Sequence, residues 1–238
     1  MELTKDDRYS PSEIVSALDR LNSRGALSFD IRRLTEAVEG DPLCYPGGAE
    51  IADWFTARDV LIIANGHEAR VKRRELELFI QQQQPFVIGL NAHLPIEEQL
   101  VDAVAVCHPE RAVLDATALT KLNCEVIAPR SLLDSIGLRV PRLRDIGYRV
   151  DSDQMALESQ GVVIPFPIVA AYVLTILKFG EAKRVFLAGF DGYGPDDPRH
   201  VMMQRSLELL ATLRPQLPVI AITRTTYEVS SKSIFAPH

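Results

Sequence analysis

Asn65, Asn91, His108 and Asp191 share one placement, because each is a polar residue met at the end of a short apolar run. The runs are Val60 to Ala64, Phe86 to Leu90, Ala103 to Cys107 and Val185 to Phe190. An asparagine offers a donor and an acceptor together, which suits a base, a ribose or a sugar hydroxyl. A histidine titrates near neutrality and serves as general acid or base. Asp191 and His108 are therefore the candidate catalytic groups. Asn65, Gly66, Asn91, Gly189 and Tyr193 are the candidate ligand-binding residues.

Each candidate also has a purely structural use. At Asn65-Gly66 the chain must turn from strand to helix, where a glycine lets backbone N–H groups approach an anion. A full GxGxxG is absent, His67-Glu68 places an acid at the tip, and a plain left-handed turn would serve as well. Asn91 can cap the turn at His93-Leu94-Pro95, and His108 precedes Pro109 as a helix-entry residue does. Cys107 has no base partner in the sequence and reads as core. The loop Gly189 to Asp197 holds three glycines and three carboxylates. Asp196 and Asp197 fit as caps of a helix starting at Pro198, which leaves Asp191 for function. The tail from Thr223 to Phe235 sets hydroxyls beside Arg224 and Lys232, as a closure over an anionic ligand or as a solvated edge hairpin. No Ser-His-Asp order, HExxH, Walker A or kinase signature occurs.

Apolar strands that alternate with helical stretches from Asp59 onward predict an α/β fold, with a Rossmann-like, mainly parallel sheet flanked by helices. In such sheets ligands bind at the carboxyl ends of the strands, so the four polar residues would crowd one rim. The pattern predicts strands at 60–64, 86–90, 103–107, 124–128, 185–189 and 219–222, with helices at 68–83, 166–179 and 198–213. The polar stretch 134–160 reads as a lid or irregular insertion. Upstream, Ser10-Pro11-Ser12-Glu13 is a capping box that opens a helix ended by Gly25, and a second short helix runs to Gly40. Chain breakers from Asp41 to Gly48 mark a linker. Residues 1–48 are thus expected to form a helical appendage and linker, and 49–238 the Rossmann-like domain.

A net charge of −6 argues against a general nucleic-acid binder, which needs a basic face. The basic run Arg70 to Arg74 shares its helix with Glu68, Glu75 and Glu77 and reads as a solvated face. Three cysteines without CxxC spacing suggest no disulfide framework and no zinc site, and a cytoplasmic home is expected. The start lacks a signal-peptide pattern, and the longest apolar stretch, about 162–177, is too short and proline-marked to span a membrane.

Leu61 to Gly66, Val87 to Asn91, and the Pro165-to-Gly180 helix delivering Val185 to Tyr193 together resemble a known layout. It is the Rossmann-like fold of bacterial sialyltransferases and motility-associated flagellin glycosyltransferases. From about Tyr9 to its end the chain is also similar to a carboxyl-terminal domain fused behind an HMG-CoA-lyase-like (4-hydroxy-2-oxovalerate-type) aldolase barrel in surface-polysaccharide clusters. That similarity rests on the Ser10-Pro11-Ser12-Glu13 helix start, the Ala188-Gly189-Phe190-Asp191-Gly192-Tyr193 loop and the Ser231-Lys232-Ser233-Ile234-Phe235 ending. The first resemblance implies a CMP-type nucleotide-sugar ligand, with Gly66 and Asn91 on the nucleotide side. The second implies an aldolase barrel as partner, in the same or another chain. The chain departs from the transferase pattern at His67-Glu68, where Gly-Pro-Ser is common, and at Phe166-Pro167, where small hydroxyl residues are usual. Both departures weaken phosphate binding. The expected function is therefore a glycosyltransferase-like nucleotide-sugar domain or a non-catalytic ligand-binding or assembly domain. A dinucleotide oxidoreductase is disfavoured, since Asn91 stands where a ribose-binding acid belongs.

Overall fold

The computed structural model describes residues 44–194 and 196–236. The two helices expected upstream lie outside the described residues. The main sheet has eight strands: β2 (Asp59–Ile63), β3 (Phe86–Leu90), β4 (Ala103–Ala105), β5 (Glu125–Ala128), β6 (Leu143–Asp145), β10 (Arg184–Ala188), β11 (Val219–Ala221) and β12 (Ser230–Ser231). Their order is β12-β11-β10-β2-β3-β4-β5-β6, and every neighbouring pair is parallel. The sheet grows outward from β2 in one direction through β6, then restarts on the other side with β10. This is the doubly wound scheme of the Rossmann arrangement, and the order reverses between β2 and β10.

Burial on both faces explains why these strands read as unbroken apolar runs. In β2, Val60 and Ile62 enter one core while Leu61 and Ile63 enter the other, and all four are fully buried. Each such side chain contributes about 1.5–3 kcal/mol against an exposed reference. One face is covered by α1 (His67–Val71), α2 (Arg73–Gln83), α3 (Pro109–Leu114), α4 (Ala116–Leu119) and α5 (Arg130–Ser135), which supply Leu76, Phe79, Val113, Leu119 and Leu132. The other face is covered by α6 (Val169–Phe179) and α7 (Pro198–Leu213), through Tyr172, Ile176, Met203 and Leu210. Helix α6 starts at Val169 instead of Phe166, because Phe166 precedes Pro167 and a residue before proline is held out of the helical region.

The stretch 134–160 is ordered structure, contrary to the expected irregular insertion. It completes α5, adds β6 to the main sheet, and supplies β7 (Tyr148–Val150) and β8 (Ala156–Glu158) to a second sheet. With β1 (Cys44–Tyr45) and β9 (Gly161–Ile164) these give the order β1-β7-β9-β8. Strands of two to four residues are too short to display a period of two, which is why the pattern was invisible. Two buried phenols fix this sheet to the rest. Tyr148 donates to the Cys107 carbonyl at 2.6 Å, and Tyr172 to that of Ile146 at 2.5 Å. Burial pushes both phenols well above their ordinary pKa. Residues 44–48, assigned to the linker by composition, lie inside this unit: Gly47 donates to Gln160, and Gly48 accepts from Gly147.

Candidate functional site

The strand reversal leaves the turn after β2 facing the turn after β10, and the backbone closes the gap between them. Gly66 N donates to Gly189 O at 3.1 Å, and Ala64 N to Ala188 O at 2.9 Å. Neither glycine tolerates a side chain. A Cβ on Gly66 would stand 2.3 Å from Gly189 O and 2.6 Å from Asp191 Oδ1. Gly189 itself has φ of +74°, in the left-handed region that favours glycine.

Asp191 sets its own carboxylate at the amino end of α1. Its Oδ2 accepts from Glu68 N at 3.0 Å, in the first turn of α1, where an anion is favoured by unpaired N–H groups and the helix dipole. Its Oδ1 is buried without a hydrogen-bond partner. Asn65 turns the other way and accepts from Arg70 Nε at 3.0 Å.

Three threonines hold the Asp191 loop from the carboxyl-terminal side. Thr223 Oγ1 accepts from Gly189 N at 2.9 Å, Thr225 Oγ1 donates to Phe190 O, and Thr226 Oγ1 donates to Asp191 O at 3.2 Å. The tail is therefore a strap across this loop, and its strand β12 lies parallel to β11 instead of forming a hairpin. Thr223 was legible by the rule that selected the other strand ends, since it is the first polar residue after Val219 to Ile222. Further along the loop, Arg199 lies over the Tyr193 ring at 4.6 Å from its centroid. Asp197 caps α7 by accepting from Arg199 N at 2.9 Å, as expected from its position before Pro198. The Arg199 guanidinium holds the Asp197 carboxyl below the ordinary carboxylate range. His200 stacks on Tyr227 with centroids 5.0 Å apart, and its Nδ1 is buried and unpaired. Nothing in the sequence marked His200, because it sits inside a helix and not at a strand end.

Asn91 and His108 lie on neighbouring strands away from that loop. Asn91 takes a left-handed backbone, φ +64°, as its N donates to Ala105 O at 3.0 Å. Its Oδ1 is also buried without a partner. Just beyond it, the buried Asp115 accepts from Ala92 N at 3.3 Å and stands 3.4 Å from His93 Nε2 and 3.7 Å from Arg111. Asp115 therefore pins the turn after β3, a role that its position between two short helices did not signal. His108 is half-buried and stands at the entry to α3 with Pro109 at the first helical position. From β10 to β4 are three strand steps, about 14 Å, so Asp191 and His108 are not brought together as a catalytic pair. Cys107 is fully buried, and burial raises its thiol far from reactivity.

Fold and strand order together define an α/β protein of Rossmann-like arrangement, with Asn91, Asn65 and Asp191 just beyond the carboxyl ends of β3, β2 and β10. No protein-family model matches the chain, and no curated protein matches it. Among the described residues no helix is long and apolar enough to cross a membrane.

Proposed function

We propose that this chain is a nucleotide-sugar-binding domain of glycosyltransferase-like type, working in bacterial surface-polysaccharide synthesis with a CMP-type ligand. The observation that carries this reading is the pair of buried, unpaired acceptors flanking β2, Asn91 Oδ1 just after β3 and Asp191 Oδ1 after β10. Two strand steps separate them, about 10 Å. Buried polar atoms are normally hydrogen-bonded, so unpaired acceptors at a strand-reversal crevice suit a ligand rich in O–H and N–H donors. Ribose and sugar hydroxyls and an exocyclic amine are such donors. The motif resemblance at Gly66, Asn91 and the Gly189-to-Tyr193 loop supports the same ligand class.

A second reading, a non-catalytic ligand-binding or assembly domain serving an aldolase barrel, is favoured by the engagement of Asp191. Its carboxylate already caps α1, and the other candidate base, His108, lies three strands away.

A thermal-shift series with CMP, CDP, UDP, GDP, NAD and CoA tests the shared core of both readings. At 100 times its dissociation constant a ligand adds about 2.7 kcal/mol, several degrees for a domain of this size. Asn91→Gly is the control, because glycine removes the amide and keeps the left-handed backbone. A cytidine-nucleotide shift that vanishes in Asn91→Gly supports the site. No shift with any nucleotide overturns it. Release of CMP from a CMP-sugar then separates the enzyme from the accessory domain.

A further inference from the structure

Between the junction of α1 with α2 and the tail, a cleft of about 400 Å3 gathers three basic side chains. Lys72, Arg224 and Lys232 line it with Ser231 and Ser233, and among the described residues Glu75 is the only carboxylate on its lining. Three cations thus face one anion in a chain whose net charge is −6. Lys72 stands 3.8 Å from Glu68, while Arg224 and Lys232 are exposed and make no ion pair among the described residues. The cleft shares a wall with the crevice. Thr223 and Thr225 line it, and their hydroxyls bond Gly189 N and Phe190 O.

We propose that this cleft is the phosphoryl-binding part of the ligand site, a role displaced here from the amino end of α1. The inference rests on the nucleotide reading above and specifies where the anionic end of that ligand goes. The usual seat is closed: Asp191 Oδ2 is already 3.0 Å from Glu68 N, and a second anion there would meet that carboxylate. The cleft offers what the turn lacks. A guanidinium binds two phosphate oxygens at once, an ammonium adds a point charge, and serine hydroxyls donate to the remaining oxygens. Arg224 and Lys232, which make no ion pair among the described residues, match the two charges of a phosphoryl dianion. The volume falls within the range of small-molecule sites, about 300–1,000 Å3.

Isothermal titration of inorganic pyrophosphate, CMP and cytidine against the wild type and the Arg224→Ala/Lys232→Ala double variant tests the assignment. Pyrophosphate is expected to bind the wild type, with an affinity that falls as salt rises. The double variant is expected to lose at least tenfold for pyrophosphate and for CMP, with cytidine unchanged. Because both side chains are exposed, the variant is expected to unfold at the wild-type temperature, and Lys232→Glu, with the charge reversed, is expected to weaken pyrophosphate in the same direction. Pyrophosphate that fails to bind the wild type, or binds the double variant equally well, overturns the proposal. CMP binding that survives the double variant unchanged also overturns it and leaves the nucleotide reading standing. Pyrophosphate binding through Arg224 and Lys232 without CMP or cytidine binding does the reverse: the anion site stands and the nucleotide reading falls.

Discussion

At the carboxyl end of the main sheet a cleft of about 400 Å3 carries Lys72, Arg224 and Lys232, whereas at the amino end a cleft of about 790 Å3 carries Glu97, Glu98, Asp102 and Glu125 with Arg142. The larger cleft is the one whose polar groups the fold itself uses. Asp102 Oδ2 accepts from Val87 N at 2.7 Å, Glu98 Oε1 from Asn123 N at 3.1 Å, and Glu125 Oε1 from Arg144 Nε at 3.2 Å. Acceptors are needed there because strands and loops present unpaired N–H groups at that end. At the carboxyl end, by contrast, Asp191 Oδ1 and Asn91 Oδ1 are buried and unpaired, and Arg224 and Lys232 make no ion pair among the described residues. Size does not identify a binding site. The pattern of satisfied and unsatisfied groups is what distinguishes the two ends.

Breaking the carboxyl rim is expected to have the largest effect. Gly66→Val drives a branched side chain into Gly189 O and Asp191 Oδ1, whose approach to the added Cβ alone is 2.3 and 2.6 Å. Both obstacles belong to a loop tied down by threonines, so the strand ends must part. A loss of about 2–4 kcal/mol is expected in urea unfolding, together with any nucleotide-induced stabilisation. A Gly66→Val protein of wild-type stability would show that the two turns are not in the contact described.

At the amino end the same test separates structure from function. Asp102→Ala leaves Val87 N without its carboxylate partner at the start of a fully buried strand. A loss of about 1–2 kcal/mol is expected, with nucleotide and pyrophosphate affinity unchanged. Weaker ligand binding in Asp102→Ala would place the acidic cleft in the site and remove the contrast between the two ends.

The main sheet was legible because strands buried on both faces must be apolar throughout, and polar residues then mark their ends. Asn65, Asn91 and Asp191 were found that way, and the structure sets them on three adjacent strand ends. What each side chain does there was not legible. That Asp191 reaches the amino end of α1 depends on β10 lying next to β2, a long-range pairing between Arg184–Ala188 and Asp59–Ile63 that no local pattern encodes. His108 was chosen by the same rule, yet its strand falls three places from β10 in the order. The small sheet was missed for a different reason. It is held by contacts distant in sequence, of Tyr148, Tyr172 and three close-packed glycines, with Gly161 at φ +131° and a Cβ on Gly147 only 2.0 Å from Gln160 O. Such contacts carry no periodicity.

Two helices of the carboxyl rim receive a carboxylate of the chain itself at their amino ends, Asp191 at α1 and Asp197 at α7. Asp197 offers the gentlest perturbation, since Asn caps a helix about as well as Asp and removes only the charge. Arg199 holds the folded carboxyl below its ordinary range, so the folded chain binds that proton less readily than the unfolded one. The stability from this pair is therefore present above the ordinary carboxylate range and is lost as pH falls through the lowered folded value. Asp197→Asn is expected to cost about 0.5–1 kcal/mol at neutral pH and to narrow its deficit towards zero in acid, measured by urea unfolding across the acid range. A deficit that stays constant with pH would assign Asp197 a purely geometric cap.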